Sequence, residues 1–238
     1  MPPRFTPLRP ALPLAVAAGL GLLLQQAQAS APVPRVVEVP FKPAFVRPPG
    51  GKEVPARVGQ ILAPASLLRT EKPGRLQVQL ANGRNFRLGG DAVLRMSADG
   101  LNLEKGQIIA WVNPGLKGGS PLKIRTRSAT ASIVGTTVFI EATADSLKVF
   151  SWEGQVECLT NDGQRKMLNS GQQLSFDQGT WRKSRLSQSE AAARRQKSIL
   201  LNGFATPMET LPVIEKELGL VPPPAPAAAT PAAAPGAR

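Results

Sequence analysis

Arg75-Leu76-Gln77-Val78-Gln79-Leu80-Ala81-Asn82-Gly83-Arg84-Asn85-Phe86-Arg87-Leu88-Gly89 is the stretch on which the fold turns. Leu76, Val78 and Leu80 alternate with other residues, Asn82-Gly83 interrupts them, and Phe86 and Leu88 take the alternation up again. A period of two puts those apolar side chains on one face of an extended strand. Asn-Gly supplies the positive φ angles of a tight turn between two strands. The same devices recur outward from this stretch. Leu122 and Ile124, Val138 and Ile140, and Val156 and Cys158 alternate in the same way, while Gly89-Gly90, Asp99-Gly100, Lys105-Gly106, Glu153-Gly154, Asp162-Gly163 and Ser170-Gly171 mark turns at short intervals. Strands so closely spaced leave no room for the crossover connections of about a dozen residues that a parallel α/β sheet requires. The expected fold class is all-β: a single domain of short strands over 55–181, β-solenoid-like or a two-sheet roll, followed by one C-terminal helix.

The flanks read differently. Arg4 and Arg9 precede an apolar stretch from Ala11 to Leu24, broken only by Pro13, and Ala27-Gln28-Ala29 offers small residues for cleavage. Residues 1–29 thus have the three-part layout of a secretory signal peptide. The apolar stretch is short of the ~20 residues that cross a bilayer as a helix. Residues 30–54 hold six prolines, at 32, 34, 40, 43, 48 and 49, and are expected to be a Pro-rich linker. Over 182–204, Ser187 and Glu190 form a capping box and Gly203 supplies a stop, which predicts the helix. Residues 205–238 end in a run of Pro and Ala and are expected to be a disordered tail.

Composition narrows the chemistry. Among 238 residues there is no histidine, which removes the commonest general base and the commonest zinc ligand. Cys158 is the only cysteine and shares a strand face with Val156, so it reads as a buried small hydrophobe. No enzyme activity, cofactor or metal is expected. Paired carboxylates such as Glu153 with Glu157, or Asp91 with Asp99, sit beside turn glycines and read as solvated turn residues. Trp111, Trp152 and Trp181 each close a strand and read as packing at the domain's ends. Gly135 interrupts an alternating run and is expected to be the least replaceable glycine.

The formal charge is +13, and loss of Arg4 and Arg9 with a signal peptide takes it to +11. Spread over the chain, that charge suits an anionic envelope partner, an acidic protein or glycan, better than nucleic acid, which is not expected. Its one ordered display is Leu122-Lys123-Ile124-Arg125-Thr126-Arg127, where alternation puts Lys123, Arg125 and Arg127 on one strand face. These three are the candidate contact for an anionic partner; the plainer reading is a solvated strand face.

Several segments resemble the FecR family in the family's order. Leu68-Arg69-Thr70 and the stretch 75–89 are similar to its entry repeat, and Leu103-Glu104-Lys105-Gly106-Gln107-Ile108 to its "leucine, acid, x, glycine" strand. Ile124-Arg125-Thr126-Arg127 through Val134-Gly135-Thr136-Thr137-Val138-Phe139 resembles the central "V-x-T-P…A…V-x-G-T-x-F" signature, with Arg127 at the usual proline. Trp152-Glu153-Gly154-Gln155-Val156 and Leu168-Asn169-Ser170-Gly171-Gln172 resemble the closing repeats. The resemblance implies a β domain working in the periplasm and binding other envelope components. Family members that restrain a sigma factor carry a cytoplasmic segment before the membrane span and a signalling domain after the β domain, and neither is expected here. The resulting expectation is an exported, periplasmic or secreted, non-catalytic binding module. Its alternative is a regulator anchored in the membrane by a retained N-terminal segment.

Overall fold

The computed structural model describes residues 33–80, 83–116 and 120–220. The expected signal peptide and the last part of the expected tail lie outside them. Among these residues fifteen strands form one hydrogen-bonded sheet: β1 Arg35–Phe41, β2 Ala44–Arg47, β3 Val54–Pro55, β4 Leu67–Thr70, β5 Arg75–Gln79, β6 Arg84–Ser97, β7 Gly100–Val112, β8 Leu122–Arg125, β9 Ala129–Ile133, β10 Thr137–Ala142, β11 Ser146–Glu153, β12 Val156–Thr160, β13 Arg165–Leu168, β14 Gln172–Asp177 and β15 Thr180–Arg185. Three helices follow, α1 Gln188–Lys197, α2 Ile199–Asn202 and α3 Leu211–Glu217.

The long hairpin of β6 and β7 organises the sheet. Arg84 to Gly89 pair with Val112 to Gln107, the register then shifts, and Leu94 to Ser97 pair with Leu103 to Gly100. At the shift Gly90, Asp91 and Gly106 all have positive φ, so the hairpin bends there as a bulged ladder does. One half of it carries β4, β2 and β3 on one side and β8, β9, β12 and β13 on the other. The other half carries β5 and β1 on one side and β10, β11, β14 and β15 on the other. The inward side chains of both halves, including Leu94, Leu103, Ile124 and Cys158 from the first and Val78, Phe86, Ile108 and Val138 from the second, meet in one core. The result is an all-β roll of two layers continuous through β6 and β7. Every ladder is antiparallel except β7 with β8, so the coil-on-coil parallel stacking of a solenoid is not formed.

Two flanking segments depart from expectation. The Pro-rich stretch 30–54 is not simply a linker: β1 and β2 lie inside it, with Val36, Ala44 and Val46 buried. β1 pairs along its length only with β5 and its register slips between Glu38 and Phe41. An edge strand with a slip tolerates Pro40, whose missing N–H costs no ladder bond there. At the other end, β15 runs to Arg185 and three helices replace one. Residues assigned to a disordered tail are ordered through 220, with Met208, Thr210 and Ile214 buried. The Pro/Ala run obscured a short helix whose Leu211, Ile214 and Leu218 recur at helical spacing. The capping box of Ser187 and Glu190 is formed as the sequence indicates.

Residues 186–220 act as an arm across the outer face of the second layer. There Ile109, Trp111, Phe150 and Trp152 pack against Leu200, Leu201, Met208 and Ile214 in a second apolar cluster. Trp111 and Trp152 are therefore buried beneath the arm rather than at the domain's ends, while Trp181 packs on Phe176 with ring centroids 4.8 Å apart.

Candidate interaction surfaces

The two outer faces differ, and the candidate residues lie on the open one. β8 alternates as its sequence dictates, with Leu122 and Ile124 in the core and Lys123 exposed. The parallel register of β8 with β7 brings Arg125 near the β6–β7 turn, where its guanidinium grips Asp99, with Nη1 2.9 Å from Oδ1 and Nη2 on the second oxygen. That contact holds the Asp99 carboxyl down at about 2. Arg127 lies beyond the strand, in a turn tied by Thr126 Oγ1, which accepts from the Ser128 and Ala129 amides. Its guanidinium donates to the Ala144 carbonyl at 3.2 Å. The three residues therefore do not form an even ladder of three free charges: Arg125 is neutralised, and Lys123 and Arg127 are not paired with acids among the described residues. Cross-strand neighbours extend the face through Ser132, Glu157 and Met167 in one row and Thr130, Leu159 and Arg165 in the next. Leu159 on β12 and Met167 on the edge strand β13 are 42% and 44% exposed.

The second layer's outer face is partly covered by the arm, and Arg87 is the hub of that contact. Its residue is 0% exposed. Nε donates to Gln77 Oε1 at 2.8 Å, Nη1 to the Leu200 carbonyl at 2.9 Å, and Nη2 to the Thr206 carbonyl. The guanidinium also lies 4.2 Å from the Phe204 ring centroid. Burial pulls its pKa down to about 10, opposed by Glu38 and Glu209, so it remains charged at neutral pH. Those carboxylates tie the arm to the sheet as well. Glu38 accepts from the Ala205 amide at 2.7 Å, and Glu209 from the Trp111 indole at 2.7 Å.

Glu153 sits under the same arm and is 5% exposed, not the solvated turn residue expected from its neighbouring glycine. The Thr137 hydroxyl lies 2.9 Å from Glu153 Oε1 and 2.8 Å from the Thr210 hydroxyl, linking β10, β11 and the entry to α3. Glu217 of α3 accepts from the Gly154 amide at 3.2 Å and from the Ser170 hydroxyl. Burial pushes the Glu153 carboxyl up to about 7; the Thr137 hydrogen bond opposes this and the Glu217 charge adds to it. The folded state thus keeps a proton that the unfolded carboxyl loses above about 4.5. Stability from this group is expected to fall as pH rises from there to about 7, by on the order of 3 kcal/mol at most, and to level off above. Denaturation midpoints at pH 5.5 and pH 8 check this: Glu153→Gln is expected to flatten the slope, and an unchanged slope would contradict the assignment.

Cys158 is fully buried in the first core, and burial pushes its thiol up to about 12, with Glu157 adding to the effect. It is held away from the thiolate form that reacts. Among the described residues no group of three or more Cys, Asp or Glu is placed to hold a metal ion. No helix among them is long and apolar enough to cross a membrane. Sequence reasoning missed Arg87, Glu153 and the arm they hold. Apolar residues at helical spacing over 208–218 were the available signal for the arm.

Residues 66–157, from the start of β4 into β12, match the model of the FecR family, described as FecR protein. Two crystal structures, each of a proposed anti-sigma factor from Parabacteroides distasonis, are similar. The first, at 2.50 Å resolution, is 20% identical over 55% of this chain and 64% of that one, with a TM-score of 0.46. The second, at 1.65 Å, is 22% identical over 47% and 55%, with a TM-score of 0.41. The match spans less than two thirds of either. No curated protein matches the chain.

Proposed function

We propose that this chain, which carries a FecR domain over residues 66–157, works as an exported, non-catalytic binding module of the bacterial envelope. The observation that carries the reading is the asymmetry of its two faces. One is covered over most of its apolar surface by the chain's own arm. The other is open, with Lys123 and Arg127, which have no acidic partner among the described residues, on the same face as exposed Leu159 and Met167 of β12 and β13. Cationic groups near exposed apolar side chains suit an anionic partner, an acidic envelope protein or glycan. Export rests on the N-terminal sequence, which predicts a mature chain beginning at Ser30 in the periplasm or outside the cell. Mass spectrometry of the mature N-terminus separates this from the anchored regulator.

The binding test uses heparin as an anionic probe. Lys123→Gln with Arg127→Gln is expected to elute from a heparin column at lower salt than the parent, with a melting temperature within about 2 °C, since exposed substitutions alter stability by about 0.5 kcal/mol or less. Adding Arg125→Gln should shift elution less, because that charge is already spent on Asp99. Elution of the double variant at the parent's salt would contradict the reading.

A further inference from the structure

A second basic feature lies on the other layer, where the arm leaves part of the sheet uncovered. Two adjoining cavities, of about 430 and 570 Å³, share Gln107, Glu141 and Ile199 and so form one groove between the β6–β7 bend, β10–β11 and the α1–α2 junction. Six cations line it: Lys72, Arg75, Lys105, Lys148, Arg194 and Lys197. Its two acids are already engaged. Asp91 pairs with Lys72 at 3.4 Å, and Glu141 with Lys148 at 3.2 Å, the other Glu141 oxygen accepting from Gln107 at 2.7 Å. That leaves Arg75, Lys105, Arg194 and Lys197 with no acid in ion-pair contact among the described residues.

The two arginines are fixed in place by aromatic rings. Arg75 lies 4.5 Å from the Phe41 centroid and Arg194 4.6 Å from that of Phe150, and Arg194 also donates to Gln173 at 2.8 Å. A preorganised cation loses less freedom on meeting an anion than a mobile one. Between the charges the groove is apolar, with Phe139, Trp152 and exposed Ile199 in its lining.

We propose that this groove docks an extended acidic peptide segment whose carboxylates meet Arg75, Lys105, Arg194 and Lys197 while intervening apolar side chains rest on Phe139 and Ile199. The apolar lining favours a peptide over a sulfated glycan, which has no aliphatic side chains to bury there. The inference stands on different residues from the open face of the first layer and does not depend on it.

The test is fluorescence anisotropy with a labelled ten-residue peptide of alternating glutamate and leucine, at two salt concentrations. Saturable binding that weakens as salt rises is expected. A glutamine–leucine analogue should bind at least tenfold more weakly. Lys105→Glu with Lys197→Glu, both exposed and without ion-pair partners, should weaken the acidic peptide at least tenfold while leaving the circular dichroism spectrum and melting temperature of the full chain unchanged. Lys123→Gln alone should leave peptide affinity unchanged, which separates this groove from the heparin-binding face; Arg127 is left in place because it donates to Ala144 at the groove's rim. The proposal is overturned by an absence of saturable binding, by equal affinity for the two peptides, by indifference to the double reversal in a folded variant, or by heparin oligosaccharide displacing the peptide from this groove as its better ligand.

Discussion

Replacing Gly106 with alanine is expected to destabilise the domain by about 4 kcal/mol, combining left-handed backbone strain with overpacking. The residue lies at the bend of the β6–β7 hairpin with φ +94°, and a Cβ there would come 2.3 Å from Ala92 Cα and 2.7 Å from Ala92 N. Neither atom can step aside, because Ala92 is buried and its amide donates to Thr70 Oγ1 at 3.1 Å. The bend joins the two layers, so the loss falls on the whole core. Gly135 supplies the comparison. It also has positive φ, at +67°, but a Cβ there meets nothing within 4 Å. Alanine at Gly135 should therefore cost only about 1 kcal/mol, the penalty for a side chain in that backbone region. The expectation that Gly135 is the least replaceable glycine is corrected accordingly. Urea denaturation of the two variants measures the difference, and equal losses would show that the close approach of Gly106 to Ala92 carries no extra cost.

Arg87→Met should cost about 3 to 5 kcal/mol, within the range for losing one side of a buried, charged hydrogen-bond set. Methionine fills much of the volume but leaves the Leu200 and Thr206 carbonyls and Gln77 without their donor. The damage should be local first. Hydrogen exchange should accelerate over 198–210 and at Trp111, the groups that Arg87 and Glu209 tie together, while β8 and β9 keep their protection. Uniform acceleration across both layers would mean that the arm is not a separable unit.

Much of the β domain was legible because its information is local. Leu76, Val78, Phe86 and Leu88 declare their face by alternation, and Asn82-Gly83 declares the turn. Arg87 follows the same alternation and therefore reads as solvent-facing; what buries it arrives from 113 residues away, beyond the reach of any local pattern. Glu153 was misjudged for the same reason, since the turn glycine beside it is visible in sequence and α3 above it is not. The cationic ladder was half legible. Alternation placed Lys123 outward and Ile124 inward, but the neutralising Asp99 comes from another hairpin through the parallel β7–β8 register. Pro40 and Pro43 suggested a linker because proline density says nothing of position, and an edge strand with a register slip can hold prolines that a central strand cannot.

On the proposed function, heparin should bind the open face of the first layer, and neither the arm nor the groove beside it. Hydrogen–deuterium exchange of the full mature chain with and without a heparin oligosaccharide tests it most directly. New protection is expected over 122–134 and 156–168, abolished in the Lys123→Gln, Arg127→Gln variant, with none over 186–220. Protection confined to the arm, or spread without regard to face, would contradict it.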